Sequence, residues 1–234
     1  MISKIIVFSG AGMSAESGIK TFRDSNGLWE NHNIHDVATP QAWEKNSDLV
    51  SEFYNQRRKQ IIQAAPNAAH FAIADLQKHA DVQVITQNID DLHERAGSSR
   101  VLHLHGNIRY AKSSGPNQEK KYYRINGHEL KVNDRCPDGY RLRPHVVWFG
   151  EDVPLMEKAI NLVNEATHFV VVGSSLNVYP AANLIMCCSD NAKTWIVDPK
   201  TRDINYPKDF TVINQKAVDG MYTVIKQIMT SLTK

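Results

Sequence analysis

An apolar run that climbs straight into Gly-Ala-Gly constrains this chain more than any other feature. In "KIIVFSGAGMSA", residues 4–15, a stretch rich in β-branched residues meets Gly10-Ala11-Gly12-Met13-Ser14-Ala15, which fits the pattern Gly-x-Gly-x-x-Gly/Ala. Such glycines permit a tight turn and close backbone approach, and a helix that starts after them offers N–H groups to a pyrophosphate. Further strand-like runs are "VQVITQN" (82–88), "VLHLH" (101–105), "HFVVVGS" (168–174), "TWIVD" (194–198) and "FTVIN" (210–214). Helical periodicity fills several of the gaps, in "SDLVSEFYNQRRKQIIQ", "NAAHFAIADLQKH" and "DGMYTVIKQIMTSL". Nearly continuous apolar strands alternating with helices predict an α/β fold: a Rossmann-like parallel sheet with helices on both faces.

Two segments break the alternation. Residues 23–65 read as a polar loop followed by helices, without a strand, and residues 107–143 are polar and charge-rich. Inside the second, "KYYRINGHELKV" reads as a β-hairpin, because Asn126-Gly127 favours the left-handed dihedrals of a tight turn. The expected organisation is one catalytic domain over 1–234. Its Rossmann-like part is 1–22, 66–106 and 144–234, and a small inserted module containing the hairpin is 23–65 with 107–143. At 42% apolar residues the chain of 234 can bury a substantial core, and a net charge of +2 gives no broad footprint for nucleic acid. No run of about 18 apolar residues occurs, so no membrane span is expected. Three cysteines without framework spacing suit a reducing cytoplasm.

A hydride-transfer enzyme would place a second strand after the glycine turn, ending in an acidic residue about 20 positions on. Glu30 falls near that distance but sits in "NGLWENHN", which is not strand-like. The loop instead carries Phe22, Arg23 and Trp29, as if to fold over the nicotinamide end of a dinucleotide, which disfavours redox chemistry. "TQNIDDLHERAG" begins at the end of a strand, where ligands of parallel sheets collect; Asn88 and Asp90 suit a carboxamide, or alternatively a loop and helix cap. "VLHLHGN" puts His103 and His105 at i, i+2 on one strand face beside the same crevice, so a histidine there reads as catalytic rather than structural.

In order, "GAGMSAESGIKTFR", "TQNID", "HLHG", "RPHVVWFGE" and "VVVGSSLNVYPAA" resemble the signature blocks of the sirtuins, the NAD-dependent protein deacylases, from about residue 4 to residue 220. The resemblance is closest to the bacterial and mitochondrial branch (class III) that removes acidic acyl groups. It implies NAD as cofactor and acyl-lysine proteins or peptides as substrates. The implied cofactor set is Gly10, Ala11, Gly12, Met13, Ser14, Glu16, Ile19, Phe22, Arg23, Trp29, Gln87, Asn88, Ile89, Asp90, Gly173, Ser174, Ser175 and Asp198. Within it, Ala11, Ile19, Phe22, Asn88, Ile89 and Asp90 would wall the nicotinamide, Gln87 would lie near its ribose, and Gly173, Ser174 and Ser175 would hold the adenosine half. The resemblance further implies that the acyl oxygen captures the ribose C1′ as the glycosidic bond breaks. His105 would then act as base on a ribose hydroxyl, and Asn88 and Asp90 would assist. His103 has the weaker claim, since the family base directly precedes the glycine.

"EFYNQRRKQ" places Tyr54 and Arg57 three apart on one helix face. Read alone, this is a core tyrosine beside a solvated arginine; acidic-acyl sirtuins carry a matching Tyr-x-x-Arg in the acyl pocket, and an arginine fork binds a carboxylate in two places. Succinyl-, malonyl- or glutaryl-lysine is therefore expected as substrate, with acetyl-lysine alongside. Val147, Phe149, Gly150 and Glu151 match the segment that pairs with substrate backbone, or alternatively form a core strand and turn. The chain departs from the family in two places. Most sirtuins bind zinc through two Cys-x-x-Cys pairs, yet here the module holds only Cys136 and His128, which cannot close a tetrahedral site, so no metal is expected. Cys187 and Cys188 read as small buried residues of a helix, and Ile196 replaces the usual ribose-contacting asparagine, with Asp198 in reach of that hydroxyl. Two other readings remain: ADP-ribosyl transfer or NAD hydrolysis through the same bond cleavage, and a non-catalytic NAD- or acyl-lysine-binding module.

Overall fold

The computed structural model describes residues 3–20, 28–29, 32–200 and 210–232, with the side chains of 28–29 excepted. Six parallel strands form the main sheet: β1 (Lys4–Ser9), β4 (Asp81–Thr86), β5 (Val101–His103), β9 (His168–Val172), β10 (Lys193–Val197) and β11 (Thr211–Ile213), in the order β11-β10-β9-β1-β4-β5. This is the expected doubly wound α/β sheet. The chain runs outward from β1 through β4 to β5, then crosses to β9 and runs the other way. The switch point lies at β1, with Ser9 level with Thr86 on one side and Val172 on the other. Ligand crevices of open parallel sheets form where the strand order reverses, outside the carboxyl ends.

Alternation along the strands feeds two cores. Ile5 and Val7 of β1 face one layer with Ile73 of α4 (Ala68–Leu76) and Met221, Val224 and Ile228 of α7 (Ala217–Leu232). Ile6 and Phe8 face the other, with Ala159 and Val163 of α6 (Met156–Asn164) and Leu184 of a 3-10 helix, Ala181–Cys187. Every one of these named side chains is fully buried. Ile196 lies in the second layer, also fully buried, and touches no crevice. Cys187 and Cys188 are half-buried at its margin rather than enclosed, because a 3-10 turn presents only part of its surface to the sheet. Among the described residues no helix is long and apolar enough to cross a membrane.

The remaining chain builds a second body. Short helices α1 (Gly12–Ala15) and α2 (Ile34–Val37) flank a ribbon of β2 (Leu28–Trp29) with β3 (His32–Asn33), so residues 23–65 do contain strands. Two-residue strands leave no periodicity to read. Helix α3 (Pro40–Gln63) starts with a Thr39 cap on the Ala42 amide and breaks at Asn46, whose side chain caps Leu49 in turn. Its second part is the helix expected from residue 47. It packs Val50, Phe53, Tyr54 and Ile61 against Ile108, Val146 and Trp148 of the segments around β6 (Gly106–Ser113) and β8 (Leu142–Val146).

The expected hairpin does not form. Residues Tyr122–Arg124 form β7, which pairs with β6 rather than with the stretch beyond Gly127, and β8 lies on the other side of β6. Gly127 does take a positive φ of 75°, so the turn is present. The returning chain is held instead by Asn55 of α3, whose carboxamide accepts from the Leu130 amide at 2.9 Å and donates to its carbonyl at 3.2 Å. A side chain thus replaces the neighbouring strand. The strand expected over 101–105 also ends early, at His103, where Gly106 at φ 82° turns the chain into β6.

Gly173, just past β9, packs so tightly on the first turn that an added Cβ would lie 2.3 Å from the Met13 amide nitrogen, and its φ is 62°. Gly173→Ala is therefore expected to cost at least about 2 kcal/mol in a denaturant melt. A variant as stable as the parent would contradict this packing.

Candidate functional site

Three loops leave the sheet at its switch point: Gly10–Ser14 after β1, Gln87–Asp91 after β4 and Gly173–Leu176 after β9. Direct backbone contact joins the outer two. Gly10 donates to the Val172 carbonyl at 3.0 Å and Gly12 to the Gly173 carbonyl at 2.8 Å. A Cβ on Gly10 or Gly12 would come within 2.7 Å of Gly173 backbone atoms. The close backbone approach expected of the glycines is thus made to the loop after β9, and Met13 N–H is bonded to the Gly10 carbonyl. Among the described residues, Ala11 keeps the one amide between Gly10 and Ser14 without a protein partner.

Ser14, Asn88 and Asp90 meet beneath this turn, all three buried. Ser14 Oγ donates to Asp90 Oδ2 at 2.9 Å, and Asn88 Nδ2 donates to the Gly10 carbonyl at 3.0 Å and to Ser14 Oγ at 3.2 Å. Asp90 Oδ1 accepts the amide of Leu92, the first residue of α5 (Leu92–Arg95), at 3.1 Å. Burial raises the Asp90 carboxyl above its ordinary value, although the Leu92 and Ser14 hydrogen bonds oppose the shift. Ala11, Ile19, Gln87 and Ile89 are half-buried around these polar groups. A flat ring bearing a carboxamide fits that setting, since Asn88 Oδ1 carries no partner among the described residues and the walls beside it are largely apolar. Ser174 Oγ donates to Gln87 Oε1 at 2.8 Å, tying the third loop to the second, and Ser175 is half-buried beside it.

The two histidines have opposite surroundings. His105 donates from Nδ1 to the Gln87 carbonyl at 3.0 Å; its Nε2 therefore carries the lone pair, with no partner among the described residues. Burial holds its pKa below the ordinary imidazole value, against the Gln87 bond. His103 is bonded at both nitrogens, from Nδ1 to the Asn88 carbonyl at 3.1 Å and from Nε2 to Glu94 Oε1 at 2.7 Å. Burial pulls it down too, yet Glu94, the Asn88 carbonyl and Asp90 outweigh that, and its pKa lies above the ordinary value. One ring keeps an open acceptor at Nε2, and the other is engaged at both nitrogens, one of them by a carboxylate. Sequence spacing does not distinguish them.

Other expected residues scatter. Glu16 turns away, its carboxylate accepting from the Val218 amide at the start of α7, so it caps a helix rather than facing the crevice. Met13 fills the core under the turn, fully buried. Asp198 is buried at the end of β10, with Oδ1 accepting the Lys200 amide at 2.8 Å. Phe22, Arg23 and the Trp29 side chain lie outside the described residues.

Beyond β8 the chain crosses beneath this site. Val147 donates to the His105 carbonyl at 2.9 Å, Phe149 donates to Ala38, and Phe149 and Gly150 are exposed. The Glu151 carboxylate faces inward, bonded twice by Arg143 and once by the Trp148 amide, so it shapes the turn instead of meeting a peptide. Trp148, absent from the sequence-based set, donates from Nε1 to the Tyr54 hydroxyl at 3.1 Å. Burial drives that hydroxyl above its ordinary value, with the charges of Arg143 and Arg57 opposing it. Arg57 is itself only 4% exposed, not solvated.

The family model described as "Sir2 family" matches residues 10–180. A "NAD-dependent protein deacylase" of Helicobacter pylori (strain ATCC 700392 / 26695) is 46% identical over 229 residues, covering 97% of this chain and 98% of its own. One from Bacteroides thetaiotaomicron is 43% identical over 231 residues, covering 97% and 98%. The chain belongs to the Sir2 family. Its fold agrees: the crystal structure of a Sir2 homologue in complex with NAD superposes with a TM-score of 0.85 at 34% identity, covering 98% of this chain and 91% of that one. The α/β architecture of Sir2 proteins, a parallel six-stranded sheet beside a small antiparallel one, is present here in full.

For this Sir2 chain the histidine contrast is open to NMR. His103 is expected to titrate above, and His105 below, the unperturbed value of about 6.5. Glu94→Gln should lower the His103 value and leave His105 in place; identical titrations of the two rings would contradict the geometry.

Proposed function

We propose that this protein is a lysine deacylase that uses NAD and accepts acidic acyl groups, succinyl and malonyl foremost, together with acetyl. Its enzyme class and cofactor follow from kinship, because relatives aligned over nearly the whole chain are NAD-dependent protein deacylases. When bound, NAD supplies the ribose that accepts the acyl group, so that the products are free lysine, nicotinamide and O-acyl-ADP-ribose. The protein's own residues supply the rest. Asn88 and Asp90 orient the carboxamide, Ser14 holds both in place, and Ala11, Ile19 and Ile89 exclude water from the ring. His105 takes a proton at Nε2. A neutral imidazole is required for that step, and burial keeps this ring neutral at physiological pH. Glu94 occupies Nε2 of His103, which keeps that ring out of competition. Exposed Phe149 and Gly150 suit a groove for substrate backbone, which tolerates many peptide sequences.

The acidic preference is supported by one observation: Arg57 is enclosed, its charge acting on the Tyr54 hydroxyl, with Nη1 donating to Gln60 Oε1 at 3.3 Å. A guanidinium carries five N–H donors and can hold a carboxylate through two parallel bonds, and a succinyl chain carries a carboxylate. Nicotinamide release that depends on acyl peptide, with O-acyl-ADP-ribose detected by mass, tests the reaction against transfer, hydrolysis or simple binding. Arg57→Met is expected to raise KM for a succinyl peptide at least about tenfold while changing the acetyl peptide by less than about threefold. Equal losses on both would remove the acidic preference.

We also read the small module as independent of zinc. Cys136 is buried with Sγ 3.4 Å from Ser113 Oγ, and His128 is linked to α3 through its backbone carbonyl. Among the described residues no group of three or more histidine, cysteine or acidic side chains is arranged for a metal. Metal analysis of purified protein should find zinc well below one equivalent; a stoichiometric ion would overturn this reading. All three cysteines are free thiols, in keeping with the cytoplasm as its place.

A further inference from the structure

Arg58, the neighbour of Arg57, is fully buried and is placed among neutral oxygens. Its Nε donates to the Ile108 carbonyl at 2.6 Å, and its Nη1 donates to the His128 carbonyl at 2.7 Å and to Asn55 Oδ1 at 2.8 Å. Among the described residues no carboxylate appears in its bonds, and Nη2 has no partner. Burial and the charge of Arg109 lower its pKa to about 10, which still leaves it a cation at neutral pH. A charge enclosed without a counter-ion is costly, and an apolar side chain of similar size would stabilise a helix in this place at least as well. What the guanidinium does, and an apolar group does not, is fix direction. Its planar fork meets Ile108 on β6 and His128 beyond β7 together, while Asn55 grips Leu130 at both backbone atoms. Ile108 in turn donates to the Ile89 carbonyl at 2.8 Å, inside the loop that carries Asn88 and Asp90.

Helix α3 also contacts the molecule through an apolar stripe, Val50, Phe53, Tyr54 and Ile61, which resists separation but only weakly resists rolling about the helix axis. Arg141 bonds Ser47 and Ser51 near the start of its second part, Trp148 bonds the Tyr54 hydroxyl and Arg95 bonds the Ile61 carbonyl, while Asn55 and Arg58 hold the turn that carries Arg57. Tyr54 lies one turn before Arg58, and Arg57 is adjacent to it. A roll of α3 would swing both. A two-point bond between a guanidinium and a carboxylate depends on angle, whereas an acetyl group, lacking the carboxylate, does not use it.

We propose that Asn55 and Arg58 are positioning residues for acyl selection: they lock the roll of α3 against the small sheet so that Tyr54 and Arg57 meet an acidic acyl group at the required angle. This rests on the acidic-acyl reading above and adds how that selectivity is held. Steady-state kinetics on one peptide carrying succinyl- or acetyl-lysine tests it in Arg58→Lys, Arg58→Met and Asn55→Ala. Each is expected to raise the succinyl KM about tenfold, with kcat and the acetyl KM within about threefold of the parent. Lysine keeps the charge but not the fork, so it should fail as methionine does. Rescue by lysine would overturn the proposal by assigning the effect to charge alone. An unchanged ratio of succinyl to acetyl KM in folded variants with lowered melting temperature would overturn it in favour of a purely structural clamp. If the Arg58 variants do not fold, Asn55→Ala decides by the same ratio. Equal losses on both peptides in Arg57→Met would remove the acidic-acyl reading itself, a failure distinct from that of the clamp.

Discussion

Gly12 donates its amide to the Gly173 carbonyl, and the two backbones lie so close that neither residue can carry a side chain without displacing the other. This contact draws the loops after β1 and β9 together across the switch point of the sheet. The loop after β4 then closes underneath, with Asn88 bonded to Gly10 and Ser14, and Gln87 bonded to Ser174. Without the glycine contact, the buried polar groups would lose their cover and most of their partners. Leaving such groups unpaired costs about 1–3 kcal/mol each, so the junction holds together as a unit or not at all.

The same junction explains the division between the histidines. Gln87 and Asn88 present consecutive carbonyls, and each receives one imidazole Nδ1–H. Identical anchoring leaves two Nε2 atoms with different surroundings, one facing Glu94 and one facing the crevice. The opposite directions of their pKa shifts thus follow from what surrounds the rings, Glu94 foremost with Asp90 beside it, rather than from their shared anchoring.

Around this centre the small module is joined to the sheet domain through side chains as well as strands. Asn55 and Arg58 bond α3 to carbonyls and an amide of the small module, and the Arg58 fork and the Asn55 amide impose directions on three separate backbone segments. Arg143, bonded in two places to Glu151 and stacked 3.4 Å above the Trp148 ring, extends that arrangement to the turn after β8.

The parallel sheet, its helices and the loops that meet at its switch point were legible in the sequence, because β-branched runs and a 3.6-residue period are local properties. Motif order likewise pointed to Gly10, Asn88, Asp90 and His105. Where the reading failed, the deciding partner was distant in the chain. Residues 121–132 look like a hairpin, but β6 competes for β7 and Asn55 captures Leu130 from 75 positions away. Glu16 looks like part of the glycine motif, but the start of α7 claims its carboxylate from 202 positions away. The protonation states of His103 and His105, the burial of Arg57 and the hydrogen bond from Trp148 to Tyr54 were invisible for the same reason. Local pattern determines which elements form and in what order; only packing decides which polar atoms lose water, and the loss of water sets their partners, their charge and their use.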